Sequence, residues 1–155
     1  MERERSAFAC ALDILSRRDH GEAELACKLR RKGYGEDEVE GVVGRLRELG
    51  YLDDRRLAGR LTETALGCGK MVGHRLRIEL TRRGIPPGIV EEALAAASAG
   101  HDERSAVAEL LGRKFPGFDP GSADMKEKRR IVGWFQRRGY SLAAIMEALR
   151  VSAEE

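Results

Sequence analysis

The chain has 155 residues, of which 42% are hydrophobic and 35% charged but only 5% aromatic, and its 28 Lys+Arg against 26 Asp+Glu leave a formal net charge of +2. That balance describes one domain or a short array of slender helices with narrow buried stripes, and no apolar run or signal-peptide pattern interrupts it, which predicts a soluble, cytoplasmic protein. Cys10, Cys27 and Cys68 form an odd set without CxxC spacing, and His20, His74 and His101 are scattered singly, so neither a metal, another cofactor nor a disulfide framework is expected; Cys10 and Cys27 read as small buried residues.

In chain order, an amphipathic helix is predicted from Ser6 to about Ser16 with Phe8, Leu12 and Leu15 on its apolar side. Asp19 offers a cap for a second helix through Lys32. A third begins with Glu36, Asp37 and Glu38, carboxylates favoured at the positive end of the helix dipole, and runs to Leu49. Gly41 and Gly44 inside it each cost about 1 kcal/mol against Ala, so tertiary packing must hold this helix, and the two suit a close helix crossing.

The run RLRELGYLDDRRLA, Arg45 to Ala58, reads as a helix end, a bend and a new start. Leu46 and Leu49 share a face, Gly50 stops the helix as a left-handed residue, Tyr51 and Leu52 fall inward, and Asp53 caps the fourth helix. That helix extends through Leu57 and Leu61 to about Leu66, where GCGKMVG interrupts. The loop lacks GxxxxGK[ST] spacing and a preceding strand, so it is read as a helix connection and not as a phosphate cradle. A fifth helix spans Gly73 to Arg83, Pro86 and Pro87 open a sixth, and Ser98 to Gly100 closes it. Asp102 and Glu103 open a seventh that reaches Lys114; FPGFDPGSAD follows as a candidate hinge. Lys126 to Arg138 and Ser141 to Arg150, with Ser141 as cap, make the last pair. Phe135 lies on the apolar stripe, which leaves Trp134 to pack against a neighbouring unit or a partner.

Aligning Gly33, Gly84 and Gly139 exposes a repeat. Each ends a basic run (LRRKGY, LTRRGI, FQRRGY) and precedes Tyr34, Ile85 or Tyr140. Apolar residues recur eight before (Leu25, Leu76, Ile131), four before (Leu29, Leu80, Phe135), six after (Val39, Val90, Ile145) and ten after (Val43, Leu94, Leu149). These are one helical stripe entering the turn and one leaving it, three times over, which predicts an all-α tandem array of three-helix units at 1–52, 53–100 and 101–155.

Cations bunch before each turn: Lys28, Arg30, Arg31 and Lys32; Arg75, Arg77, Arg82 and Arg83; Lys126, Lys128, Arg129, Arg130, Arg137 and Arg138. The helix dipole accounts for last-turn cations, yet Arg129 and Arg130 lie about two turns before the helix end. Such a ridge either faces phosphates or an acidic protein groove, or is a solvated helix face. From Arg30 onward these are the candidate partner- or DNA-binding residues.

LSRRDHGEAELACKLRRKGY, LGYLDDRRLA, RLRIELTRRGI and WFQRRGYSLAAI together resemble the bacterial RecX family over nearly the whole chain. Gly21 stands where that family usually has Ser or Thr, and Leu57 where it has Phe. The resemblance implies an elongated, curved array, acting as a monomer without catalysis. It implies binding to the RecA recombinase filament on single-stranded DNA, with inhibition of its recombinase, ATPase and coprotease activities in repair, homologous recombination and the SOS response. Bare DNA is expected to bind only weakly and without sequence preference; no membrane or small-molecule partner is expected. A protein of helix-turn-helix type acting directly on DNA is the alternative, but EDEVEGVVGRLREL and PGIVEEALAAA after the turns are acidic or bland. Asp53 with Asp54 is the acidic pair that tempts an enzymatic reading, and capping explains it better.

Overall fold

A computed structural model describes residues 5–151. Among them lie nine helices and no strand: α1 Ala7–Arg17, α2 Glu22–Arg31, α3 Glu36–Glu48, α4 Asp54–Gly67, α5 Gly73–Arg82, α6 Pro87–Ala99, α7 Glu103–Lys114, α8 Met125–Arg137 and α9 Leu142–Val151.

Five of these helices end in the same hydrogen-bonded turn. The glycine amide bonds a carbonyl three residues back and the next amide reaches five back: Gly33 to Arg30 with Tyr34 to Leu29, Gly84 to Thr81 with Ile85 to Leu80, and Gly139 to Gln136 with Tyr140 to Phe135. Gly50 with Tyr51 and Gly69 with Lys70 repeat the pattern onto Arg47, Leu46, Leu66 and Ala65. All five glycines have φ between 59° and 97°, a region strained for any residue with a Cβ.

The aligned stripe is the core. Leu25, Leu29, Leu76, Leu80, Ile131, Phe135, Val39, Val90, Ile145, Val43 and Leu149 are buried, as are Tyr34, Ile85 and Tyr140 after the turns; Leu94 is half-buried. The chain forms two compact units, one from its start to Leu61 together with Glu79–Ala93, the other from Thr62–Ile78 together with Leu94 onward.

In the first unit, α1 packs on both α2 and α3. Ala7, Cys10, Ala11 and Ile14 face the core, while Phe8, Leu12 and Leu15, expected on the inner side, sit partly buried at its edge. Small side chains let α1 approach closely, and the bulkier ones cover the rim. Asp19 is not the cap of α2. Gly21 occupies that position, and a Cβ on it would come within 2.6 Å of the Arg83 carbonyl oxygen. The cap oxygen comes from far along the chain, where Asp54 Oδ1 accepts from the Glu22 amide at 3.0 Å. Gly84 sits against the same helix start, its Cβ position 2.9 Å from the Glu24 nitrogen. Cys27 lies on the outer face of α2 and is exposed, contrary to the sequence expectation; Cys10 is buried.

The corner after α3 is only half as expected. Leu52 is 2% exposed, but Tyr51 is 56% and Leu49 54% exposed. This bend is one residue longer than the turns at Gly33, Gly84 and Gly139, so the inward position passes from the residue after the glycine to the next one. Asp53 caps as expected, its Oδ1 accepting from the Arg56 amide at 3.0 Å. Gly41 and Gly44 make no close helix crossing, for a Cβ on either would meet open space.

In the second unit α7 packs along α9, with Ile131 and Phe135 of α8 fully buried against them. The Gly139 turn seats on the start of α5: the Val72 amide donates to the Arg138 carbonyl at 2.8 Å, and a Cβ on Gly139 would stand 2.1 Å from the Val72 oxygen. This is the same docking that Gly84 makes on α2, one repeat later. Ser141 caps α9 by accepting from the Ala144 amide, and Glu103 in turn accepts from the Ser141 amide and hydroxyl. The FPGFDPGSAD segment carries its own frame. Asp119 accepts from the Gly121 amide at 2.9 Å and the Ser122 hydroxyl at 2.7 Å, Pro120 is buried, and Phe115 and Phe118 rest on the core.

Candidate partner-binding surface

The cations before the first turn belong to different local settings. Arg30 is tied to Glu36 at the start of α3, its Nε 2.7 Å from the carboxylate, and this hydrogen bond raises the guanidinium pKa while lowering that of Glu36. Arg31 and Lys32 are exposed and form no ion pair among the described residues. Lys28 Nζ lies 2.9 Å from Nε2 of the buried His20, whose Nδ1 is 2.9 Å from the Arg18 carbonyl oxygen. A carbonyl only accepts, so Nδ1 carries the hydrogen and Nε2 accepts from Lys28. Burial, the largest influence, pulls the His20 pKa below its ordinary 6.5 and keeps the ring neutral. Burial pushes Glu24 the other way, but the Arg18 hydrogen bond and the adjoining His20 and Lys28 outweigh it and hold that carboxyl below its ordinary value.

Arg17 and Arg18, at the end of α1, were not singled out from the sequence, yet they share a surface depression of about 490 Å³ with Lys28, Arg31 and Lys32. The helical stripe could not reveal this, because the two arginines come from a different helix. The signal was the SRRDH run just ahead of α2, read only as part of a motif.

The second set is divided by the fold. Arg82 and Arg83 belong to the first compact unit and both face Glu79, at 3.9 Å and 3.0 Å. Arg75 and Arg77 belong to the second unit, where Arg75 lays its Cβ and Cγ against the Gly139 turn and Arg77 borders a cavity of about 440 Å³ with His74, Ser98 and His101.

In the third set, Lys126 and Arg129 are exposed without ion pairs among the described residues, and Arg130 stands 3.9 Å from Glu127. Lys128 and Arg150 flank an apolar slot of about 210 Å³ floored by Phe118, Met146 and Leu149. Arg137 is exposed. Arg138 is the exception: its guanidinium lies 3.4 Å over the Trp134 ring and donates to the Trp134 carbonyl at 3.2 Å, and burial lowers its pKa. Trp134 itself packs edge-on against Phe115 and Phe135, with centroids at 5.3 and 5.0 Å, so the indole stays within its own unit.

Among the described residues no three His, Cys, Asp or Glu side chains gather as metal ligands, and no helix is long and apolar enough to cross a membrane.

Comparison with known proteins agrees with this architecture. Residues 7–46 match the model of the RecX first three-helix domain, and residues 102–149 that of the RecX third three-helix domain. The chain is 40% identical over 133 residues to the regulatory protein RecX of Trichlorobacter lovleyi, covering 86% of each. It is 35% identical over 149 residues to a protein of that name from Thermus thermophilus, covering 96% of this chain and 94% of the other. The crystal structure of RecX from Lactobacillus salivarius shares the fold at a TM-score of 0.72, with 19% identity over 96% of both chains. At 40% identity over most of its length, with a RecX domain matched at either end, the chain belongs to the RecX family of regulatory proteins.

Proposed function

We propose that this protein is a cytoplasmic, monomeric regulator that binds the RecA filament on single-stranded DNA and inhibits its recombinase, ATPase and coprotease activities without catalysis of its own. Family membership is the observation that carries this reading. The exposed cations Arg31, Lys32, Lys126 and Arg129, without ion pairs among the described residues, support it, since they present positive charge to a partner. The helix after the first turn opens with Glu36, Asp37 and Glu38, a poor approach to base edges, so direct reading of a DNA sequence is not proposed. Three functional units at 1–52, 53–100 and 101–155 remain part of the proposal.

The test is RecA's DNA-dependent ATP hydrolysis and strand exchange with the protein added. Inhibition at sub-stoichiometric to equal ratios is the expected result. Reversal of Lys126 and Arg129 to Glu is expected to weaken it with helicity intact, because exposed charges act on association more than on folding. Unchanged RecA activity at saturating protein would overturn the reading.

A further inference from the structure

The depression between the end of α1 and the outer face of α2 is one-sided in its chemistry. Arg17, Arg18, Lys28, Arg31 and Lys32 converge on it, and Asp13 is the one carboxylate on its lining. Three of these cations are partly engaged: Arg17 is 3.3 Å from Asp13, Arg18 pairs with Glu24, and Lys28 is 3.8 Å from the same Glu24. Arg31 and Lys32 have no carboxylate partner among the described residues. Local anions therefore fall short of the local cations, and the surplus faces a concave surface with the buried Ile14 beneath it.

We propose that this depression binds the phosphate backbone of a nucleic acid, sequence-independently, as a site separate from the ridges on α5 and α8. The choice of nucleic acid over an acidic protein rests on what is missing as much as on what is present. Protein interfaces are centred on apolar or aromatic anchors and are poor in charge at their core. The exposed large apolar side chains of the described residues, Leu49, Tyr51, Met125, Leu142 and Met146, all lie outside this lining. A phosphate takes several donors at once, and two guanidinium forks with three ammonium or guanidinium neighbours match that need without any anchor. The depression holds no Phe, Tyr or Trp, and its one imidazole, His20, is buried, so there is no stacking platform and bases are not read. His20 fixes the direction of the Lys28 ammonium through the 2.9 Å contact, which helps preorganise the cradle.

The site takes its biological setting from the proposed function, a partner that contains DNA, but its test uses no RecA. Binding of a fluorescent single-stranded oligonucleotide of mixed sequence is measured by anisotropy between about 50 and 200 mM salt. The triple variant Arg17→Ala/Arg31→Ala/Lys32→Ala is expected to bind at least about tenfold more weakly at low salt, with the slope of log affinity against log salt reduced by about two. The charge-matched control Lys70→Ala/Arg113→Ala/Lys114→Ala, three exposed cations outside every candidate binding set, should stay within about threefold of the parent. Circular dichroism checks that both variants keep the parent's helicity. Equal losses in both variants, or no loss in the first, would overturn the site. So would displacement of the oligonucleotide by poly-glutamate as readily as by unlabelled oligonucleotide, which would make it an acidic-protein surface. A null result in the ATPase assay would leave this binding result untouched, so the two readings fail separately.

Discussion

Asp54 Oδ1 accepts the Glu22 amide at 3.0 Å, so a residue in the first turn of α4 completes the start of α2, 32 positions earlier. Gly21 has no side chain to do the job, and the Arg83 carbonyl leaves no room for one. Asp54→Ala is therefore expected to destabilise by about 1–2 kcal/mol in thermal or denaturant melts, the usual loss of a helix cap. Asp54→Asn keeps an acceptor and should lose far less. Burial, chiefly, raises the Asp54 pKa above its ordinary 3.8. The protonated carboxyl thus contributes stability that is fully present below 3.8 and lost as pH rises through the raised value. The Asn variant should gain on the parent between about pH 3.5 and neutrality; a constant difference would show the carboxyl is not strained.

Gly139 and Gly50 separate two roles of a turn glycine. Both have positive φ, but only Gly139 has a neighbour where its Cβ would stand. Gly50→Ala should cost about 1–2 kcal/mol of backbone strain alone. Gly139→Ala should cost at least about 2 kcal/mol more, because the Val72 carbonyl must move aside. Comparison of unfolding midpoints checks this, and equal losses would mean the α5 start yields freely.

His20 makes stability depend on mild acid. Its folded-state pKa lies below 6.5, so its contribution is present above 6.5 and is lost as pH falls through the folded value. Protonation would also set an imidazolium against the Lys28 ammonium. The melting temperature of the parent is expected to fall between about pH 7.5 and 5 more steeply than that of His20→Gln. Parallel profiles would remove His20 from the account.

Gly41→Ala is the stabilising counterpart. The position is in the interior of α3, exposed, and faces open space. A gain of up to about 1 kcal/mol is expected from helix propensity alone, readable as a higher urea midpoint with unchanged m-value.

The stripe was legible because burial repeats with the helix: Leu25, Leu29, Val39 and their later equivalents all go where their spacing sends them. Positions in turns were legible only where turn length was constant, and the extra residue at Leu52 is what turned Tyr51 outward. The surface was less legible still. Arg138 and Arg129 read alike in the sequence, yet one lies over an indole and the other is exposed with no ion pair among the described residues. Arg17 and Arg18 gain their interest from a neighbouring helix, and Asp54 from a partner far back in the chain. Sequence periodicity reports which face of one helix is buried; it carries no information about which outer faces converge.

The two seated turns also bear on the order in which the chain folds. The five helix-ending turns join residues at most five apart, so they form on the timescale of helix growth, in about a microsecond or less. Gly84 on Glu24 and Gly139 on Val72 instead require closure of long loops, whose entropy must be paid before the contact rewards it. The slow step of folding is therefore expected at long-range contacts of this kind, the two glycine seats among them. They act as the latches of an assembly whose separate hairpins are already made.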